Sequence, residues 1–420
     1  MNRRAVWAWA FYDFGNSAYP TVIVTVAYSI YFKTVVAGAG GGDPAAGGGA
    51  GDFYWGFAIS LSMLFVAVAA PFLGALADVS GAKKTFLGFF AGLCVVFTGL
   101  LFFVGKGDVL TGVLFFVIAN IGFEASLVFY NAFVPEIADP ADYGKVSGYG
   151  WAFGYLGGLL CLFWVLPLIK GGFAPENLAN FRTAFLRVAI FYAVFSVPTM
   201  LWLRERKPGG ETAAWPERIR KGWIQLRDTF QHIRRLKSLF RFLVAFLLYN
   251  DGIATVIAFS SIFAVGTLGF SVADVTVLFI AVQASACAGA FAFGFVVDWL
   301  GAKKTILYLL VLWCGVVLAA FFTRTQAQYF AVAMVAGVGL GSVQSASRSL
   351  MALFIPEGKA GEFYGFYGVC GKLSAIFGPI TFGAVSVLAG SQRAAVLSVM
   401  VFCLAGMAVL WGVRVEKGDG

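Results

Sequence analysis

Glu124, Asp251 and Lys372 stand inside long apolar runs, each at least ten residues from the next charged side chain. Two carboxylates and an amine in such surroundings can do two kinds of chemistry. They can bind the charged ends of a polar solute, and they can take up and release protons. Placing one charged residue at the centre of a membrane helix costs about 2.5–3.5 kcal/mol on insertion scales, so these groups face water or a partner. At about 1.5 Å per residue, Glu124 and Lys372 lie roughly 15 Å from the cytoplasmic ends of their runs, and Asp251 slightly deeper. Asp13 and Arg348 form a second layer nearer the inner mouth, with Asn131 beside them. Asn16, Asn120, Asn250, Gln283 and Gln344 supply uncharged polar groups inside the same runs. Asn120, Glu124 and Asn131 follow i, i+4, i+11 and share one helical stripe, while Asp13, Asn16, Ser17 and Pro20 mark another.

The mid-depth layer is read as substrate and coupling residues, and the lower layer as an inner gate. Asp13 would close against a cation, with Arg348 the first candidate. Carboxylates together with cations suit a zwitterion, with Lys372 or Arg348 holding a carboxylate and Glu124 or Asp251 an amine. Glu124 is the favoured proton carrier because it shares its stripe with Asn120 and Asn131. Asp251 is the alternative, and Asn250 would then hold the substrate. The same residues would also serve as static pairs that fix helix register. Tyr12, Tyr19, Trp151 and Tyr155 fit either packing or the lining of such a site.

The elements that must position these residues follow from composition. Of 420 residues, 60% are hydrophobic and 12% charged, and mean hydropathy is +0.85. Soluble domains carry about a quarter charged residues. Apolar runs long enough to cross a hydrocarbon core of roughly 30 Å recur along the chain. Twelve spans are predicted, at 7–35, 54–77, 84–105, 109–133, 146–169, 184–203, 239–266, 275–298, 304–323, 327–352, 363–389 and 394–413. "MNRR" precedes no small-residue cleavage site, so the first run is expected to stay as a helix. The six cysteines all fall inside spans, which argues against a disulfide framework or a zinc site. No cofactor or metal is expected. With no G-x-x-x-x-G-K-[ST] sequence for ATP, protons are the expected driving ion. A membrane enzyme would need a nucleophile–base pair, and the single histidine, His232, lies outside the spans; an enzyme is not expected.

Charge placement sets orientation. If both termini are cytoplasmic, inner segments hold 21 Lys and Arg and outer segments seven. That bias is the positive-inside pattern of a multi-pass inner (plasma) membrane protein, so the net charge of +9 calls for no nucleic acid. "DVSGAKKT" at 78–85 recurs as "DWLGAKKT" at 298–305, and "FVPE" at 133–136 recurs as "FIPE" at 354–357. Repeats at nearly one offset predict two six-helix bundles related as parallel repeats, residues 1–203 and 239–420. The stretch 204–238 between them is a cytoplasmic linker. In it, Ile219, Trp223, Leu226, Phe230 and Ile233 mark the apolar face of an amphipathic helix on the inner membrane surface. The Gly-rich stretch 37–52 reads as an outer loop. A monomer in the bilayer is expected.

Gly74, Asp78, Gly81, Lys83 and Lys84 have the form G-x-x-x-D-x-x-G-x-K-K, and Gly294, Asp298, Gly301, Lys303 and Lys304 repeat it. This resembles the signature loop of the major facilitator superfamily, between its second and third helices and again between its eighth and ninth. Gly81 and Gly301 would permit the tight turn, the aspartates would cap a helix or meet a cation, and the lysines would face anionic lipid. Val79 and Ala82 stand where that loop usually has a basic residue. "WAFYDFGNSAYPTVI", "FYNAFVPEIA", "GKVSGYGWAFGYLGG" and "LLYNDGIATV" resemble one branch of the superfamily. It is the branch of bacterial permeases related to the fungal vacuolar amino-acid effluxer linked to autophagy. The resemblance implies an all-α fold of twelve transmembrane helices, with spans 1, 4, 7 and 10 lining a central cavity. It also implies secondary transport of amino acids or similar small metabolites, by efflux. A lipid or drug exporter of the same superfamily, or a receptor-like member that does not transport, is the alternative.

Overall fold

A computed structural model describes residues 3–38, 48–205, 215–232, 236–374 and 377–415. Most of the Gly-rich stretch 37–52, the flanks of the linker helix and the side chain of His232 lie outside the described residues. The described residues contain twelve helices long and apolar enough to cross a membrane. In chain order the spans are Arg3–Val36, Phe53–Ser80, Lys83–Phe103, Val109–Ile137, Pro140–Ile169 and Pro175–Trp202 in the first half. Lys237–Ser260, Asp274–Leu300, Ala302–Phe322, Gln326–Leu353, Ala360–Leu388 and Gln392–Trp411 follow in the second. The protein is an integral multi-pass membrane protein built of two six-helix bundles.

Side-chain types explain where these spans break. Span 1 widens to π-helical geometry over Tyr19–Val26, starting next to Pro20. The freed carbonyl of Pro20 accepts a hydrogen bond from the Thr25 hydroxyl at 2.9 Å. Span 11 is two helices, Ala360–Leu373 and Phe377–Leu388, and Pro379 sits in the first turn of the second, where its missing N–H costs nothing. Gly81 and Gly301 turn the chain between spans 2 and 3 and between spans 8 and 9 with φ of 56° and 90°, a region that favours glycine.

The bundles meet through glycines. A methyl at Gly74 of span 2 would collide with the carbonyl of Gly361 at the start of span 11. In the repeat-related place, a methyl at Gly294 of span 8 would sit 3.0 Å from the carbonyl of Gly144 at the start of span 5. Close backbone approach of this kind is how membrane helices pack without a hydrophobic driving force between them. The first glycine of each signature loop is therefore a contact residue between bundles. All six cysteines are free.

Candidate functional site

The span ends that carry the two signature loops are locked by two matching caps. Asp78 of span 2 accepts hydrogen bonds from the backbone N–H of Gly361 and of Glu362, both at 2.9 Å. Asp298 of span 8 accepts from the N–H of Gly144 at 2.7 Å and of Lys145 at 3.1 Å. Each carboxylate thus caps the first turn of a helix in the opposite bundle, where unpaired N–H groups and the helix dipole favour a negative charge. Lys304 is exposed, but Lys83, Lys84 and Lys303 differ from the sequence expectation. Lys83 is buried and pairs with Asp78 at 3.2 Å and Glu136 at 2.6 Å, so it does not face lipid. Lys84 donates to the carbonyl of Leu203 at 2.8 Å. Lys303 donates to the carbonyls of Trp411 and Val413, closing the end of span 12. Glu205, beyond span 6, accepts from the N–H of Lys83 and Lys84; burial raises its carboxyl above the ordinary value, and those two N–H groups oppose the rise.

One helical turn further in, Arg348 of span 10 reaches across into the first bundle. Its guanidinium lies 3.6 Å from Asp13 of span 1, which also accepts from the Tyr130 hydroxyl at 3.0 Å. It donates to the hydroxyl of Ser147 at 2.8 Å, to the carbonyl of Ser147 at 2.6 Å and to Asn131 at 3.3 Å. The rings of Trp9, Tyr130 and Trp151 stand 4.8, 5.6 and 5.5 Å from it. Trp9 and Tyr130 are stacked, and the Trp9 N–H donates to the Tyr130 carbonyl, which fixes that wall. Every ring and every hydrogen-bond acceptor named here belongs to the first bundle, while Arg348 belongs to the second. The predicted lower layer is brought together in full.

At mid-depth Lys372 of span 11 donates to Glu124 of span 4, a further charged link between bundles. The links named here join one bundle to the other from this pair to the span ends that carry Asp78 and Asp298.

Comparison with known proteins agrees with this architecture. Residues 54–420 match the family described as vacuole effluxer Atg22 like. The chain belongs to that family. Within the Atg22-like family, it is 29% identical over 408 residues to the uncharacterized MFS-type transporter YxiO of Bacillus subtilis, covering 96% of this chain and 93% of that protein. It is 24% identical over 447 residues to autophagy-related protein 22 of Yarrowia lipolytica, covering 86% and 75%. The fold matches the human organic anion transporter MFSD10 with a TM-score of 0.73 at 16% identity, over 97% of this chain and 99% of that one. It matches the Escherichia coli fucose:proton symporter FucP at 0.73 and 13%, over 99% of each. The chain is an MFS-type transporter, of a family of transporters and not of enzymes.

The remaining predicted residues of this Atg22-like chain divide between the bundles. In the second, Gln344 donates to Asn250 at 2.8 Å, and Asn250 donates to Ser374 at the end of the first half of span 11. In the first, Asn120 donates to Ser62 at 2.7 Å. Asp251 has a partner of its own on span 11. It is fully buried, and its two oxygens lie 2.9 and 3.0 Å from the N–H of Gly378, at the start of the second half of span 11. Gln283 is half-buried on span 8. Asn16 is buried, and its Nδ2 has no hydrogen-bond partner among the described residues; the same holds for the hydroxyl of buried Tyr19. Both donors lie on span 1, about one and two turns beyond Asp13. Sequence reasoning missed Ser62, Ser374, Trp9 and Tyr130. Trp9 and Tyr130 carried a usable signal, since each lies four residues or fewer from a predicted gate residue, Asp13 or Asn131.

Proposed function

We propose that this chain is an alternating-access secondary transporter that exports amino acids or comparable small polar metabolites across the plasma membrane, coupled to protons. Its termini are cytoplasmic, and it works as a monomer. The observation that carries the reading is the ion pair between Glu124 and Lys372, because its partners sit on different bundles at mid-depth. When the bundles rock, such a pair breaks. Glu124 then loses its cation and takes up a proton, and Lys372 is released to hold the carboxylate of a substrate. Closing the pair again expels the proton. Proton affinity that differs between two conformations is what couples an ion to transport.

The unpartnered donors of Asn16 and Tyr19 support a polar solute, since a buried donor without an acceptor costs about 1–3 kcal/mol until something accepts from it. Asn120 and the Asn250–Gln344 pair supply further polar groups at similar depth. Asp251 acts here as a cap that holds the break in span 11, and Asp13 with Arg348 forms the inner gate. Residues 1–203 and 239–420 move as the two bundles, joined by 204–238. The family's description as vacuole effluxer supports the outward direction of transport.

The test uses purified protein in liposomes loaded with a mixture of labelled amino acids under an imposed pH gradient. Gradient-dependent movement of at least one amino acid, suppressed by the unlabelled compound, is expected. Movement of lipid-soluble dyes with no response to any amino acid would replace this reading with that of a lipid or drug exporter.

A further inference from the structure

The linker helix Trp215–His232 touches both bundles where the gate closes, and the transport cycle above makes no use of it. Gly222, Gln225, Leu226 and Thr229 recur at i, i+3, i+4 and i+7, one stripe of a helix. Gly222 and Thr229 are buried. On the first bundle this stripe lies against span 2, so closely that a methyl at Gly222 would sit 3.3 Å from the Leu76 backbone. On the second bundle Gln225 donates to Glu362 at 2.8 Å, and Thr229 accepts from Lys359 at 3.3 Å. Glu362 is the residue whose N–H is capped by Asp78. One helix is thus fastened to both sides of the span 2–span 11 contact.

The opposite stripe is different in kind. Arg220, Trp223, Ile224 and Arg227 are displaced by two positions, about 200° around the helix, and all four are exposed. Trp223 also reaches back to Phe72, 5.9 Å between rings, two turns inside the end of span 2. A tryptophan and an isoleucine at that depth, flanked by arginines, are the residues of a helix seated at the boundary of acyl chains and headgroups. Sequence periodicity put Leu226 on the membrane face; the structure turns it toward the bundles instead.

We propose that anionic headgroups of the cytoplasmic leaflet bind the Arg220–Arg227 edge and thereby hold the gate shut. When spans 2 and 11 part, the linker helix keeps only one of its two footholds and leaves its seat. A ligand that binds the seated helix better than the unseated one shifts the equilibrium toward the closed gate. Basic groups on such a surface are drawn to anionic lipid and screened by salt. The inference rests on alternating access but on no particular substrate, and its test uses none.

Spin labels on Ala141→Cys, in the exposed first turn of span 5, and on Glu357→Cys, in the exposed loop between spans 10 and 11, report gate distance in nanodiscs. Replacing part of the phosphatidylcholine with phosphatidylglycerol is expected to raise the closed-to-open ratio about fivefold or more, and high salt to reverse it. Arg220→Gln with Arg227→Gln is expected to abolish the response, and so is Gln225→Ala. An equal ratio in both lipids overturns the proposal with the native linker alone. A response that survives in the double variant overturns it as well.

Discussion

The Oδ1 atom of Asp78 lies 2.9 Å from the backbone nitrogen of Gly361, joining span 2 of one bundle to span 11 of the other. Asp298 does the same for Gly144. Removing a helix cap costs about 0.5–2 kcal/mol. Asp78→Ala is therefore expected to shift the gate toward the cytoplasm-open state by roughly 2- to 30-fold, read as distance between labels at positions 141 and 357. The two caps share no partner, so the effects of Asp78→Ala and Asp298→Ala are expected to add. A gate that stays shut in the double variant would show that the caps do not hold it.

Gly74 offers a steric test of the same contact. Its side of span 2 lies on the Gly361 carbonyl, so Gly74→Val forces the helices apart and is expected to leave the gate open and to cut transport at least about tenfold. Gly92 faces open space within 4 Å, and Gly92→Ala is expected to behave as the native protein. Equal behaviour of the two variants in flux and in label distance would remove the close approach from the account.

Asp13 and Arg348 are expected to act as a pair. Asp13→Arg and Arg348→Asp each leave a buried charge facing its like or facing nothing, and each is expected to stop transport. The double exchange is expected to restore a measurable part, with a coupling of about 0.5–3 kcal/mol between the sites. Strictly additive losses in initial flux would mean that the pair is not a gate.

Orientation is tested outside the core. Cysteines at Glu176 and at Glu357, both exposed, are expected to react with an impermeant maleimide from opposite sides of the membrane. Labelling from the same side would overturn the six-plus-six topology.

Depth was legible in the sequence wherever a span is regular. Counting residues from the ends of spans 4 and 11 put Glu124 and Lys372 at one level, and they meet. The same count put Arg348 level with Asp13, which lies 3.6 Å away. The same count put Asp251 slightly deeper than Glu124, but depth along span 7 did not reveal its partner, the N–H of Gly378 in the helix Phe377–Leu388. The aromatic partners of Arg348 were legible only in part. Trp9, Tyr130 and Trp151 are aromatic residues among many in apolar spans, and only the packing of two bundles makes them a box around one guanidinium.

The role of Glu124 is the centre of the account, and one variant tests it. Glu124→Gln keeps the shape of the protonated side chain and removes its charge, so the ion pair with Lys372 is lost while the site stays polar. In liposomes with an imposed pH gradient, the variant is expected to exchange substrate across the membrane at a rate comparable to the native protein. It is expected to show no net accumulation. Accumulation of substrate against its own gradient by the glutamine variant would contradict proton coupling through Glu124.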